Sequence, residues 1–268
     1  MPDRDNTVRL EGNDYHYLVR VRRFAAGEYF PALLSTGEET LIQVVSIDHN
    51  VLIGKCSSLL CEKSLLIPPI ILFQALPKAD KMDMIVRQAA EGGITEIVPF
   101  VSEFSVAKTN ASGEKFTRWQ RIIKEARQQS GSKIMTSLHC PLTRDELFDY
   151  WKKINNTGAL GLLFHHLSDQ GGGLEQKSLH SYLNNIPPDV STASGLQCKP
   201  VVVFAVGPEG GFSNTEVSLF LGNSFKPFTI GDTILRSETA ALYCAAAIKI
   251  LLLERNSWEL KIAKNCSA

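Results

Sequence analysis

The sequence has no excess of charge of either sign. Its 268 residues include 28 Lys+Arg and 28 Asp+Glu, so the formal net charge is zero. Because nucleic-acid binders usually carry a basic excess, any such binding here must depend on local basic clusters. Apolar residues make up 44% of the chain and charged residues 21%, which is typical of a globular protein with one large domain or two smaller ones.

Metal-binding and disulfide patterns are also absent. No two of the six cysteines have CxxC spacing, and the six histidines do not lie near cysteines or carboxylates at metal-ligand spacing. The cysteines therefore indicate reduced thiols in a cytoplasmic protein, and we expect no metal.

Long hydrophobic runs and common catalytic motifs are missing as well. Residues 1–5 lack the apolar stretch of a signal peptide, and the longest near-apolar run, 240–253, is too short to cross a bilayer and predicts a buried helix. We therefore expect no membrane association. The patterns GxxxxGK[ST], GxGxxG, HExxH and GxSxG do not occur, which argues against nucleotide kinases, metalloproteases and α/β-hydrolases.

The N-terminal and C-terminal parts of the chain differ in their patterns of polar and apolar residues. Up to Ile67, strands are predicted at 28–34, 40–47 and 51–53, with no helix of any length, which suggests a small β-barrel or sandwich. Pro68-Pro69 marks the boundary, because a double proline ends regular hydrogen bonding. The predicted domains are therefore residues 1–68 and 69–268.

After the boundary, strands and helices alternate, which predicts an α/β fold with a mostly parallel sheet and both faces covered. Two capping boxes, Thr143 to Glu146 and Ser213 to Glu216, indicate helix starts. The region 168–199 is predicted to be rich in loops. The other predicted strands lie at 70–76, 94–100, 159–164 and 201–206, and the other helices at 78–91, 115–129 and 237–254.

Two glycine-centred loops follow apolar strands near the C-terminus. The first is GPEGGFS at 207–213, and the second is GDTILRSETA at 231–240, after Phe228-Thr229-Ile230. In open α/β sheets, ligands bind outside the carboxyl ends of the strands, where both loops should lie. An isolated GxxGG is more often just a tight turn into a capped helix, but two such loops in succession favour a binding site.

At these loops the sequence resembles the bacterial 16S ribosomal RNA uridine-N3 methyltransferases, the RsmE family of the SPOUT superfamily. The resemblance is carried by residues 207–213 and 234–240, and it extends over 74–82, 97–103, 118–123 and 125–131. It implies a C-terminal trefoil knot, a PUA-like β-barrel RNA-binding domain at the N-terminus, a homodimer, and 16S ribosomal RNA in the 30S subunit as substrate. Departures from the family pattern are Thr233 and Phe104, where basic residues are common, and the segment 91–94.

The resemblance also implies site residues. S-adenosylmethionine would be held by main chain and apolar side chains of the two loops: Val206, Gly207, Pro208, Glu209, Gly210, Gly211, Ile230, Gly231, Ile234, Leu235 and Thr239. Arg236 would stabilise negative charge on the uracil ring or anchor a phosphate, and Glu209 or Glu238 would accept the N3 proton. For Glu238, a favourable charge at a helix N-terminus is an equally good interpretation.

Local basic clusters could bind RNA phosphates. Lys115, Arg118, Arg121, Lys124 and Arg127 recur every three residues, which places neighbours on one helix face. A solvated helix face is the alternative, and the resemblance favours RNA. The predicted RNA-binding residues are Arg9, Arg20, Arg22, Arg23, Lys115, Arg118 and Arg121, whereas Phe116 and Trp119 are predicted to pack inward.

Other functions remain compatible with the sequence. A related knotted enzyme could modify another RNA position or a ribose 2′-oxygen. A non-catalytic RNA-binding assembly factor could have kept the fold, although its loops should then have lost their glycines and Arg236. A metabolite-binding α/β protein has only the neutral net charge in its favour.

Overall fold

The computed structural model describes residues 6–33, 39–57, 67–105, 113–132, 134–156, 158–165, 177–186, 190–191, 197–198 and 200–255. The chain divides into two compact units, residues 1–64 and 65–268.

The N-terminal unit contains a four-stranded antiparallel sheet in the order β1-β4-β3-β2. Its core holds side chains that alternate along the strands, among them Val8, Phe30, Ile42, Val44 and Leu52. The elements in chain order are β1 Thr7–Leu10, α1 Gly12–Tyr15, a π-helical turn His16–Val21, β2 Tyr29–Leu33, β3 Glu39–Asp48 and β4 Val51–Ser57.

Two features of this unit differ from the sequence prediction. The strand β1 was not predicted, because only four residues form it and Val8 is its one fully buried side chain. The prediction that no helix precedes Ile67 is wrong, since α1 and the π-helical turn bury Tyr15 against the sheet core. Neither element is long enough to show a helical period in the sequence.

The C-terminal unit is built on a six-stranded, fully parallel sheet in the order β12-β8-β11-β5-β6-β7. The predicted α/β fold with a parallel sheet is confirmed. Its strands are β5 Ile70–Ala75, β6 Glu96–Phe100, β7 Ser137–Leu138, β8 Leu160–Phe164, β11 Val202–Val206 and β12 Lys226–Phe228; its helices are α2 Lys81–Gly92, α3 Gly113–Ser130, α4 Arg144–Asn155, α5 Leu179–Asn184, α6 Asn214–Gly222 and α7 Ser237–Arg255.

Helices cover both faces of this sheet because alternate strand residues point to opposite sides. On one face, Ile70 and Leu72 of β5 pack with α2, α3, α5 and α7. On the other face, Ile71 and Phe73 pack with α4 and α6. Every residue of β5 and β11 is buried, as expected for central parallel strands.

Short elements were the ones that the sequence prediction missed in this unit. The strand β7 was not predicted, and α5 lies in a region predicted to be rich in loops, together with a separate antiparallel pair formed by β9 Val190–Ser191 and β10 Gln197–Cys198. The predicted strand at Phe228–Ile230 is wrong by two residues, because β12 ends at Phe228. Thr229 and Ile230 therefore belong to the loop that follows it.

Candidate active site

The carboxyl ends of β5 and β11 lie side by side at the point where the direction of the sheet reverses. From β5 the chain runs outward through β6 and β7, whereas β8 and β12 lie beyond β11 on the other side. Such a switch point opens a crevice between neighbouring loops, where α/β proteins bind ligands. The loops after β5, β11 and β12 all emerge at this edge, because the strands are parallel.

The loop after β11 is a tight turn whose backbone packs closely on itself. The Gly211 N–H donates to the Pro208 carbonyl oxygen over 2.9 Å, and Gly211 has a φ of 71°. A Cβ on Gly207 would lie 3.2 Å from the Gly211 carbonyl carbon, so only glycine leaves this approach undisturbed. Ser213 and Glu216 form the predicted capping box that starts α6. The tight turn into a capped helix, which an isolated GxxGG pattern predicts, is therefore present.

The loop after β12, residues 229–236, is mostly exposed. Gly231 has a φ of 68°, and a Cβ built there would meet no atom within 4 Å. The side chain of Ile234 is 80% exposed, an unusual placement for an isoleucine. Leu235, in contrast, packs against the core below α7. The loop thus presents main chain, the apolar side chain of Ile234 and polar side chains that include Arg236 to its surroundings.

A buried hydrogen-bond chain joins the two loops. Ser237, the first residue of α7, donates through Oγ to the Gly207 carbonyl oxygen over 2.7 Å and accepts from Gln74 Nε2 at 3.0 Å. Gln74 is fully buried near the end of β5. These buried hydrogen bonds therefore hold the start of α7 against the GPEGG turn. The two glycine-centred loops consequently lie next to each other.

Lys81 links the start of α2 to the GPEGG loop and to the first turn of α7. Its Nζ lies 2.8 Å from Glu209 Oε1 and 3.3 Å from Glu238 Oε2, and the Lys78 N–H donates to Glu209 Oε1 at 3.1 Å. Burial raises the pKa of the Glu209 carboxyl, but hydrogen bonds from Lys81 and from main-chain N–H groups outweigh it and leave the pKa below its ordinary value. The hydrogen bond to Glu209 in turn raises the pKa of Lys81. Glu209 is therefore ionised at neutral pH.

The site residues predicted from the sequence differ in how exposed they are. Val206, Gly207 and Pro208 are buried beneath the turn, Gly211 is half-buried, and Glu209 and Gly210 are exposed on it. The others belong to the second loop and the first turn of α7: Ile230, Leu235, Glu238 and Thr239 are half-buried, and Gly231, Ile234 and Arg236 are exposed. Gln74, Lys81 and Ser237 were missed as site residues, although all three lie within or beside the segments that carry the resemblance.

The predicted RNA-binding residues lie in both units. In the C-terminal unit, Lys115, Arg118 and Arg121 are exposed on α3, whose buried residues are Trp119, Ile122, Ile123 and Ala126. Arg118 pairs with Asp83 at 2.5 Å, and Arg121 lies 3.7 Å from Glu125. In the N-terminal unit, Arg9 pairs with Glu11, and Arg20, Arg22 and Arg23 are exposed.

The inward packing predicted for the aromatic residues of α3 is confirmed. Trp119 is buried and donates through Nε1 to Asp83 at 3.0 Å, and Phe116 packs against the same core. Within the described ranges, no helix is long and apolar enough to cross a membrane, and no group of three or more His, Cys, Asp or Glu is placed to hold a metal.

Comparison with known proteins gives the family. Residues 65–249 match the model of the RNA methyltransferase domain. Over 248 residues the chain is 31% identical to ribosomal RNA small subunit methyltransferase E of Synechocystis, covering 92% of this chain and 74% of that protein. This chain belongs to the methyltransferase E family. The Bacillus subtilis member is 26% identical, with 90% of this chain and 89% of that protein covered.

Solved structures of similar proteins share the fold. A methyltransferase E from Neisseria gonorrhoeae bound to S-adenosyl methionine has a TM-score of 0.69 at 22% identity, covering 94% of this chain and 95% of that chain. A Legionella pneumophila methyltransferase in complex with the same cofactor has a TM-score of 0.67 at 24% identity, covering 91% of each chain. At these identities the likeness establishes the fold of the family.

Proposed function

We propose that this chain methylates N3 of a uridine in 16S ribosomal RNA of the 30S subunit, with S-adenosylmethionine as methyl donor. The observation that carries the proposal is the contact between Ser237 Oγ and the Gly207 carbonyl oxygen, which brings both signature loops of the family together at the carboxyl edge of the sheet. The family membership supports the reaction, and the names of the relatives support the small-subunit RNA as substrate.

The residues of the crevice fit the cofactor. The Gly231 backbone has open space where a Cβ would project, so a planar ring could approach its main chain closely. Val206, Gly210, Ile230 and Leu235 would add main chain and apolar groups from both loops. When bound there, the cofactor would supply an electrophilic methyl group.

The other steps of the proposed reaction belong to this chain's own residues. Uracil N3 is buried in a paired duplex, so the target base must be unpaired or flipped out. Removal of its proton leaves charge on the ring oxygens, which the exposed guanidinium of Arg236 would stabilise. Glu238 or Glu209 would accept the proton. The lowered pKa of Glu209 makes it a poor base and favours a role in holding Lys81.

We further propose the assembly that the family resemblance implies. The C-terminal unit would contain a trefoil knot, and the N-terminal unit would be a PUA-like RNA-binding domain. The chain would form a cytoplasmic homodimer. An apolar row on α7 supports the dimer, because Tyr243 and Ile250 are each more than half exposed on one helix face.

The decisive experiment incubates the protein with labelled S-adenosylmethionine and purified 30S subunits and maps the methylated nucleotide. Label on a uridine base supports the proposal, whereas label on a ribose 2′-oxygen or another base assigns a different activity. Absence of both transfer and cofactor binding would indicate a non-catalytic RNA-binding protein.

Two variants test the residue roles. Arg236→Ala should abolish transfer while calorimetric affinity for the cofactor stays nearly unchanged, because the guanidinium is assigned to the base. Gly210→Val should remove cofactor binding, since even a Cβ there would lie 3.2 Å from Phe104 Cβ. Full activity of Arg236→Ala, or normal cofactor affinity of Gly210→Val, would refute the corresponding assignment.

A further inference from the structure

Phe104 lies in the turn that follows β6, against the GPEGG loop. An ideal Cβ on Gly210 would be 3.2 Å from Phe104 Cβ and 3.6 Å from two atoms of its ring. The side chain is nevertheless 48% exposed, among the more exposed large apolar residues of the described chain. Phe104 therefore lies beside the proposed cofactor loop and remains about half exposed.

The turn that carries Phe104 is held by a network of hydrogen bonds centred on Glu216. This buried carboxylate accepts from Ser102 Oγ and from the Glu103 N–H, both at 3.0 Å, in addition to the Ser213 N–H at 3.0 Å. Glu103 adds a second link, because its carboxylate accepts a hydrogen bond from Ser213 Oγ at 2.6 Å. The residue before Phe104 is thus fixed to the cap of α6, directly after the GPEGG turn.

The other side of the turn is fixed as well. Ser105 Oγ donates to the Leu76 carbonyl oxygen at 3.0 Å and accepts from the Ser102 N–H at 3.2 Å. The backbone on both sides of Phe104 is therefore anchored to β5 and α6. An aromatic side chain on such a fixed backbone loses little conformational entropy when a ligand packs on it.

We propose that Phe104 is a stacking platform for an unpaired base of the RNA that carries the target nucleotide. The inference rests on the proposed function, because it takes the GPEGG loop as part of the reaction site. Aromatic side chains beside an RNA-binding site stack on splayed-out bases, and each such contact contributes about 1–3 kcal/mol by alanine substitution. Phe104 has no charge for a phosphate, so its contribution should not depend on salt, unlike that of an arginine.

The test compares Phe104→Leu with Phe104→Trp. Leucine keeps an apolar contact with Gly210 but removes the π-face, whereas tryptophan keeps both. We expect Phe104→Leu to bind 30S subunits roughly 5- to 150-fold more weakly at every salt concentration, which is the affinity equivalent of the stacking energy. Phe104→Trp should bind about as well as the unchanged protein. Cofactor affinity by calorimetry should be unaffected in both.

Tryptophan fluorescence provides a second and direct measurement of the contact between residue 104 and a base. The tryptophan fluorescence of Phe104→Trp, minus that of the unchanged protein, should be quenched by a single-stranded uridine oligonucleotide and not by an RNA duplex of the same length. The proposal is overturned if Phe104→Leu binds 30S subunits normally, if its loss of affinity disappears at high salt, or if cofactor affinity falls in parallel. It is also overturned if the oligonucleotide causes no quenching.

The outcome can be separated from that of the proposed function. Failure of the unchanged protein to methylate 30S subunits would refute the proposed function, whatever Phe104 does. Normal methylation by the unchanged protein together with normal RNA affinity of Phe104→Leu would refute only the stacking platform.

Discussion

Lys81 is the first residue of α2, and two carboxylates from different elements share its ammonium group. Glu209 comes from the loop after β11 and Glu238 from the first turn of α7. Without the cation, the two carboxylates would repel each other across the proposed site. An ion pair of this kind, less than one-third exposed on either side, can order the loops that carry it.

The Lys81–Glu209 pair predicts a pH window for the order of the site. The pKa of Glu209 is lowered, so its contribution is present above the unfolded value of about 4.3 and is lost as pH falls through the folded value. The pKa of Lys81 is raised, so its contribution is present below about 10.4 and is lost as pH rises through the folded value. Between these limits the pair is intact.

Lys81→Met should therefore lower kcat/KM for methyl transfer by at least about tenfold, comparable to the loss of one charge-assisted contact. The pKa of Glu209 should rise in this variant, because burial remains while the cation is gone, and the acidic limb of the pH–rate profile should move to higher pH. Steady-state kinetics between acidic and neutral pH measure both effects.

Lys78→Met is the matched control for this variant. Lys78 contacts Glu209 through its backbone N–H, which the substitution keeps. We expect its kcat/KM and pH profile to resemble those of the unchanged protein. A Lys81→Met profile that coincides with the control would show that the ion pair has no part in the reaction.

Among the secondary-structure elements, features formed by residues close in sequence were predictable, whereas contacts between residues distant in sequence were not. The capping boxes at Thr143 and Ser213 involve residues three positions apart, so the sequence contains them completely, and both are confirmed. The contact of Lys81 with Glu209 requires β5 and β11 to be neighbours, which depends on strand order rather than on any local pattern. Short elements such as β7 and α1 offered too few residues for a period to be recognised.

Helix α3 carries the basic row that the sequence predicts to bind RNA, with a solvated helix face as the alternative. Lys115 is exposed on it, whereas Arg118 already pairs with Asp83. If α3 contacts RNA phosphates, Lys115→Gln should weaken binding to 30S subunits and reduce the slope of log K against log salt by about 1. Filter-binding titrations at several salt concentrations measure this slope.

A lysine on the opposite face of the sheet provides the control. Lys152 is exposed on α4, which packs on the other side of the sheet from α3. Lys152→Gln removes the same charge, and we expect the salt slope to stay unchanged. Equal slopes for the two variants would mean that α3 is only a solvated helix face.

For the whole molecule, a net charge of zero leaves shape and local surface to determine its partners. The last helix illustrates this: its long apolar run predicted a buried helix, and Cys244, Ile248 and Leu252 are indeed buried. Tyr243 and Ile250, seven residues apart on another face, are 52% and 54% exposed. An apolar row on a helix that one chain does not cover is the expected signature of a self-complementary interface.

We therefore expect Ile250→Lys to shift the protein from dimer to monomer in sedimentation velocity, because a lysine at the centre of an apolar interface leaves a charge unpaired. Val45→Lys is the matched control, since Val45 is 52% exposed on β3 of the N-terminal unit and lies outside the proposed interface. It should sediment like the unchanged protein. If Ile250→Lys remains dimeric while folded, the two-fold interface does not use this face of α7, and the exposed row must serve a different contact.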